Sequence, residues 1–297
     1  MSLKVGYIPE HFASPLIFGK QKGLFKNQDV EVELIPYPSG SGHLIQSLND
    51  GELDVAIGLT ESFVRGIADT DKDTKPKYQI AGTFVKSALE WCVSTGSKRD
   101  DLADLKALDG KKIGVSKLGS GSHVMSYVMA LQMDFEKPFE DFVVCNDFAN
   151  LRKSVNSGES DAFMWEYYTS KKFLDSGEIK MLGHVSSPWP SWVVVKRTEA
   201  DLDAFKRFVQ ALNAGIDYFN KHKEESIDLV VSEFGYSKED AEGWFKTVKY
   251  HSDCGNINDL HGVVTGTLHI LANTNVLKNK DELVIENNLR DGTLNSS

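Results

Sequence analysis

The chain has 297 residues, of which 41% are hydrophobic, and a net charge of −10 from 33 basic and 43 acidic residues. This length and apolar content are enough for a sizeable core and favour two lobes over one. The sequence has no dense Lys/Arg run of the kind that would indicate a nucleic-acid partner. It also has no apolar run of the roughly 18 residues that a membrane span needs.

The first 90 residues alternate apolar runs of period two with helical patterns, which predicts a doubly wound α/β unit. The strand-like runs are LKVGYI, VEVELIPY, DVAIGL and YQIAGTFV. The helical runs between them are PLIFGKQKGLF, HLIQSLNDG and ESFVRGIAD. Each of the first three strands is therefore followed by a helix that can return the chain to the sheet.

A second series of the same kind follows the charged stretch SKRDDLADLKALDGK. Its strand-like runs are KKIGVS, FEDFVVCN, DAFMWE and KMLGHVS. Its helical runs are SHVMSYVMALQMD, NLRKSVNSGE and YYTSKKFLDSG. The fold class is thus α/β, with two lobes and a cleft between them.

The two series share a short pattern at residues 43–58 and 150–165: an amphipathic helix, an Asn-x-Gly-Glu-x-Asp turn and a buried strand. In each copy a glycine, Gly51 or Gly158, stands where a helix needs a left-handed C-terminal residue. Any α/β unit can end this way, so the pattern favours two related lobes without requiring them.

The chain turns helical from Asp201 onward. A stripe of apolar residues at three-and-four spacing predicts one long helix that packs on the first lobe. Three further helices are expected within 225–234, 238–250 and 258–277, followed by a polar, frayed tail after Leu289.

The N-terminus MSLKVGYIPEH lacks the basic and long apolar regions of a signal peptide, which predicts the cytoplasm unless a signal has been removed. The widely spaced Cys92, Cys145 and Cys254 argue against a disulfide framework and fit a reducing compartment. We expect them to be small buried residues.

Ligands of doubly wound sheets gather at the carboxyl ends of the strands, where loops and helix N-termini converge. Two glycine-serine turns open helices at such places, Ser39–Gly42 and Gly119–Ser122. Glycine admits close backbone approach, serine adds hydroxyl donors, and the free helix N–H groups favour an anion. Either turn alone could be a plain helix cap.

Aromatic and polar side chains occur near the same strand ends. Trp91, Trp165 and Trp189 could belong to the core or line a cleft against a ligand. Glu61 and Glu166 follow equivalent strands and could hold an amine or ring N–H, or cap the next helix. The predicted ligand-binding residues are His11, Gly40, Ser41, Thr60, Glu61, Trp91, Gly119, Ser120, Gly121, Ser122, Trp165, Glu166 and Trp189.

Several chemistries lack their motifs. There is no Walker loop, no dinucleotide fingerprint with an acidic partner, and no GxSxG nucleophile elbow. His251, Cys254 and His261 form the densest group of metal-ligand residue types, but their spacing matches no known zinc pattern, so packing or surface roles are favoured. We predict no catalytic residues, metal or cofactor.

The run from GLFKNQDVEVELIPYPSGSGH to DVAIGL, with DGKKIGVSKLGSGSH and NSGESDAFMWE, resembles the type II periplasmic binding proteins. The nearest branch is similar to the sulfonate, taurine and nitrate binders and the thiamine-pyrimidine synthases. The resemblance implies two lobes joined by strand crossovers near 86–94 and 190–196, closing on a small anion or pyrimidine in the cleft. Lobe 1 would comprise residues 1–90 and 195–297, and lobe 2 residues 91–194.

Three functions follow from these observations. The first is a non-enzymatic cytoplasmic binder, carrier or sensor for a small anionic or heteroaromatic molecule. The second is an enzyme of pyrimidine or cofactor biosynthesis with His11 or Glu166 as the acid–base group, although the cysteine-rich CCCFC motif of yeast-type pyrimidine synthases is absent. The third is a transport receptor that has lost its signal, and only an exported form would have a transporter partner.

Overall fold

The computed structural model describes residues 2–136 and 139–295, and within them the alternating apolar runs form ten strands and twelve α-helices. The strands are β1 (Leu3–Tyr7), β2 (Val32–Pro36), β3 (Val55–Leu59), β4 (Tyr78–Val85), β5 (Glu90–Gly96), β6 (Lys111–Val115), β7 (Phe139–Val144), β8 (Ala162–Glu166), β9 (Ile179–Ser186) and β10 (Trp192–Arg197). The helices are α1 (Ser14–Gln21), α2 (Leu24–Asn27), α3 (Ser41–Asn49), α4 (Thr60–Ala68), α5 (Gly121–Gln132), α6 (Phe148–Ser157), α7 (Tyr167–Asp175), α8 (Leu202–Lys221), α9 (Lys223–Phe234), α10 (Lys238–Thr247), α11 (Ile257–Ala272) and α12 (Glu282–Asp291).

The strands form two five-stranded sheets of the same design. The first has the order β2-β1-β3-β10-β4, and the second has the order β7-β6-β8-β5-β9. In each sheet four strands point the same way, and one strand that arrives from the other half of the chain is inserted antiparallel to its two neighbours. The predicted α/β architecture of two lobes with two strand crossovers is confirmed.

The chain passes between the sheets at residues 86–89 and 187–191, where β4 leads to β5 and β9 leads to β10 without an intervening helix. The predicted crossovers extended too far into β5 and β10. Residues 192–194, which the sequence prediction assigned to lobe 2, pair with β3 and β4 of the first sheet. The side chains of residues 192–194 are apolar and buried in the first lobe, which explains why the strand begins there.

The C-terminal helices pack on the first sheet's helices. The apolar stripe of α8 is buried against α1 and α2, and the backbone of Pro15 lies so close to Gly215 that no larger residue fits. Helices α11 and α12 contact α4. The prediction of a frayed tail after Leu289 is wrong for residues 290–294. The Leu294 amide donates to Ile80 O at 2.9 Å and thereby joins the tail to β4.

The repeated turn has the predicted backbone. Gly51 and Gly158 adopt φ angles of 76° and 79°, the left-handed conformation that stops a helix before a strand. Within residues 2–136 and 139–295, none of the helices combines the length and apolar character that a bilayer crossing requires.

Candidate functional site

A cavity lies between the two sheets, at the carboxyl ends of their parallel strands. The cavity is narrow, with a volume of about 30 Å³. It is lined by Ile8, Glu10, Gly40, Ser41, Leu59, Leu89, Trp91, Ser116, Ser120, Gly121, Ser122, Trp165, Glu166 and Trp192. Both sheets and the crossover that precedes β5 contribute to this wall.

The first glycine-serine turn forms the first lobe's wall. Gly40 has a φ of 80°, which a side chain would strain, and α3 begins directly after it. The Ser41 hydroxyl accepts the Leu59 amide at 3.0 Å and so ties this turn to the end of β3. That bond leaves the Ser41 hydroxyl proton free to donate, close to the first amides of the helix.

The second turn forms the facing wall. Ser122 Oγ accepts the Ser116 amide at 3.2 Å and lies 3.0 Å from Ser120 Oγ. The three serines are buried and line the cavity beside the start of α5. The first amides of a helix have no intrahelical acceptor and carry partial positive charge, so both walls offer donors to a polar guest.

The lobes are in close contact around the cavity. A Cβ atom added to Gly121 would overlap the Leu59 Cδ1 methyl and lie 3.0 Å from both Glu61 Oε1 and Trp91 Cη2. Between the lobes, Lys117 Nζ donates to Gln46 Oε1 at 3.3 Å. The structure is therefore a closed arrangement in which a larger residue at position 121 would displace neighbouring side chains.

Three indole rings line the cavity. Trp165 of β8 donates its Nε1 hydrogen to Glu10 Oε1 at 2.9 Å, which joins the two lobes directly. Trp91 and Trp192 are buried, and neither Nε1 hydrogen has an acceptor in the part of the chain that the structure describes. These two rings present donors and flat apolar surface to the same space.

Two carboxyl groups, those of Glu10 and Glu166, line the same cavity. Burial, together with the nearby Glu166, raises the pKa of Glu10 to about 8, although the Trp165 hydrogen bond opposes that rise. Glu166 Oε2 accepts the Thr169 amide at 2.7 Å and so caps α7, while Oε1 faces His11 Nε2 at 3.5 Å. Among the described lining residues there is no lysine or arginine.

Five predicted residues do not line the cavity. His11 lies behind Glu166, with Nδ1 2.8 Å from the Tyr236 hydroxyl. Gly119 packs on the guanidinium of Arg65. The other three are Thr60, Glu61 and Trp189.

Those three residues form the support behind the wall. Thr60 Oγ1 donates to Pro190 O at 2.6 Å, so it holds the second crossover. Trp189 donates its indole hydrogen to Glu61 Oε2 at 2.9 Å. Burial raises the pKa of Glu61 to about 7, and Glu61 Oε1 has no hydrogen-bond partner among the described residues. Glu61 is thus held near the second turn but one layer outside the cavity wall.

The sequence prediction missed six lining residues: Ile8, Glu10, Leu59, Leu89, Ser116 and Trp192. Glu10 is adjacent to the predicted His11, and Trp192 lies three residues after the predicted Trp189. Ser116 and Leu59 end their strands, so the strand-end rule could have found both.

The described residues offer no metal-binding cluster and no reactive thiol. Within the described residues no three His, Cys, Asp or Glu side chains come together in a way that could hold a metal ion. The three cysteines are buried and unpaired, and burial raises the pKa of Cys92 to about 11, so its thiol stays protonated.

Three comparisons place the chain among known proteins. A family model described as Ca3427-like PBP matches residues 91–185. No curated protein matches the sequence. The solved structure of the Candida albicans CA3427 gene product, described as defining a new family with the generic periplasmic binding protein fold, is 44% identical, with a TM-score of 0.91 over 99% of this chain and 96% of that chain.

More distant structures share the fold. The alkanesulfonate-binding protein SsuA of Xanthomonas axonopodis pv. citri, bound to MOPS, is 16% identical, with a TM-score of 0.74 over 97% of each chain. The nitrate-binding protein NrtA of Synechocystis PCC 6803 is also 16% identical, with a TM-score of 0.70 over 96% of this chain and 85% of that chain. The chain therefore belongs to the Ca3427-like family of proteins with the periplasmic binding protein fold.

Proposed function

We propose that this protein is a non-enzymatic binder whose two lobes close on a small organic anion or pyrimidine-like ring. The observation that carries the proposal is the cavity itself, which is lined from both lobes and bounded by both glycine-serine turns. Helix-start amides and serine hydroxyls at the two turns can hold an oxyanion or a ring acceptor from opposite sides.

The indole rings supply the other part of the recognition. Trp91, Trp165 and Trp192 surround a narrow space in which a flat or short-chain guest contacts apolar surface. The unsatisfied Nε1 hydrogens of Trp91 and Trp192 would gain acceptors from such a guest. Binding then stabilises the closed arrangement, as hinge closure does in two-lobed binding proteins.

The role that fits these features is that of a carrier or sensor, and the three unpaired cysteines favour a reducing compartment such as the cytoplasm. Catalysis is not part of the proposal. His11, the histidine nearest the cavity, is buried behind Glu166, where it cannot touch a guest without rearrangement.

A ligand panel tests the proposal. Thermal denaturation with sulfonates, carboxylates, phosphates and pyrimidines should reveal at least one stabilising compound, and a ligand at 100 times Kd stabilises a protein by about 2.7 kcal/mol. The same compound should reduce the radius of gyration in solution. A panel in which no compound raises the melting temperature or compacts the protein would refute the proposal.

A further inference from the structure

The acidic side chains of the cavity wall restrict the chemical class of the guest. Glu10 and Glu166 both line the cavity, and no lysine or arginine among the described residues lines it with them. A guest with only negative charge would face two carboxyl groups without a cationic side chain. Whenever either carboxyl group is ionised it repels such a guest, and no cationic side chain among the described residues of the wall offsets that repulsion.

The two carboxyl groups are held in place by the protein but keep free oxygen atoms. Trp165 Nε1 binds Glu10 Oε1, and the Thr169 amide and hydroxyl bind Glu166 Oε2. Within residues 2–136 and 139–295, Glu10 Oε2 has no protein donor, and Glu166 Oε1 has only His11 Nε2 at 3.5 Å. Each carboxyl group can therefore accept a hydrogen bond from a guest while it remains anchored through its second oxygen.

Buried polar groups without partners indicate which donors and acceptors a guest would need. The Nε1 hydrogens of Trp91 and Trp192 are buried in the cavity wall without acceptors, at rings that are 3% and 1% exposed. An unsatisfied buried donor is costly, so a guest acceptor is expected on that side. The second carboxyl oxygens of Glu10 and Glu166 can accept hydrogen bonds from donors of the same guest.

We infer that the guest carries an N–H group, a protonated amine or an amino-substituted heteroaromatic ring, which binds between Glu10 and Glu166 while its acceptor end meets the glycine-serine turns and indoles. This inference rests on the proposed binding function and narrows its ligand class from simple anions to nitrogen-bearing molecules. Hydrogen bonds from a charged donor to a carboxylate are the strongest of their kind in such sites.

Pairs of compounds that differ in one amino group test the inference by calorimetry. Suitable pairs are 3-aminopropane-1-sulfonate with propane-1-sulfonate, β-alanine with propanoate, and 4-aminopyrimidine with pyrimidine. In at least one pair the amino compound should bind the wild-type protein at least tenfold more tightly. Glu10→Gln and Glu166→Gln should each reduce that preference to within about threefold.

A matched control separates the site from general charge effects. Glu286 is exposed on α12, so Glu286→Gln removes the same charge far from the cavity and should keep the wild-type preference. Should a glutamine variant fail to fold, the wild-type comparison of the pairs still decides the question.

The outcomes are distinct. If the compounds without the amino group bind the wild-type protein as tightly as their partners, or if both glutamine variants keep the preference, this inference is overturned and the binding function stands. If neither member of any pair binds, this inference is overturned, and the proposed function falls with it only when the full panel of sulfonates, carboxylates, phosphates and pyrimidines also yields no compound that stabilises or compacts the protein.

Discussion

Gly121→Ala tests whether the second turn lies at the closing surface. The added methyl group would overlap Leu59 Cδ1 and come within 3.0 Å of Glu61 Oε1 and Trp91 Cη2 in the closed arrangement. Leu59 and Glu61 belong to the first lobe's β3 and α4, while Gly121 begins α5 of the second lobe. The overlap with Leu59 and the contact with Glu61 therefore exist only when the lobes are together, whereas Trp91 belongs to β5 of the same lobe as Gly121.

The size of the effect follows from the cost of overpacking. An extra methyl group in a well-packed contact costs about 1–3 kcal/mol, which corresponds to a loss of about 5- to 150-fold in the population of the closed form. Ligand affinity should fall by the same factor, because binding requires closure. The helical backbone at position 121 accepts alanine, so the circular dichroism spectrum should not change.

Calorimetric titration with the tightest compound of the panel measures this loss. Gly262→Ala is the control, because an added Cβ on α11 meets no atom within 4 Å and lies away from the cleft. An affinity for Gly121→Ala within twofold of the Gly262→Ala value would refute the placement of the turn at the closing surface.

Two further predictions concern buried polar groups. Burial raises the pKa of Glu61 from 4.5 to about 7, so the neutral form favours folding: that stability is fully present below pH 4.5 and is lost as the pH rises through 7. Urea titrations of the wild-type protein should show the free energy of unfolding falling from pH 5 to 8. In Glu61→Gln this fall should be less steep, because position 61 no longer carries an ionisable group while Glu10 still titrates. Equal pH slopes for the two proteins would contradict this. Tyr236→Phe removes a hydroxyl that lies 2.8 Å from both His11 Nδ1 and Thr169 Oγ1, and should lower the free energy of unfolding by about 1–3 kcal/mol; a change below about 0.3 kcal/mol would show that neither bond matters.

The order of apolar runs was enough to predict the two sheets, because each run has the period of its element. The strand-end rule then placed both glycine-serine turns at one cavity, since strands of parallel sheets direct their carboxyl ends to one edge. The lobe boundary predicted between 194 and 195 cuts through β10, which pairs with the first sheet from residue 192, because the register of a returning strand depends on its partners.

Side-chain direction limited the prediction of the site. Trp189 and Trp192 are three residues apart in PWPSW, yet Trp189 turns back to Glu61 while Trp192 lines the cavity. Glu10 and His11 are adjacent, and only Glu10 lines the cavity. Neighbouring residues differ in this way because the backbone between strands follows no simple period, so spacing alone could not choose between them.

The tail shows a second limit. The sequence predicted no helix between 278 and 289 and a polar, frayed tail after Leu289. In the structure, α12 packs on α4, and Asn288 Nδ2 donates to Thr70 O at 2.7 Å. Contacts with a distant part of the chain decide this helix, and they are not visible in a local pattern.

Small-angle X-ray scattering of the wild-type protein, with and without the tightest compound of the panel, tests the central claim most directly. The account predicts that the free protein has the larger radius of gyration and that the saturated protein gives a scattering profile that matches the closed structure. Identical profiles, at concentrations where calorimetry shows the compound bound, would contradict closure of the two lobes on a guest.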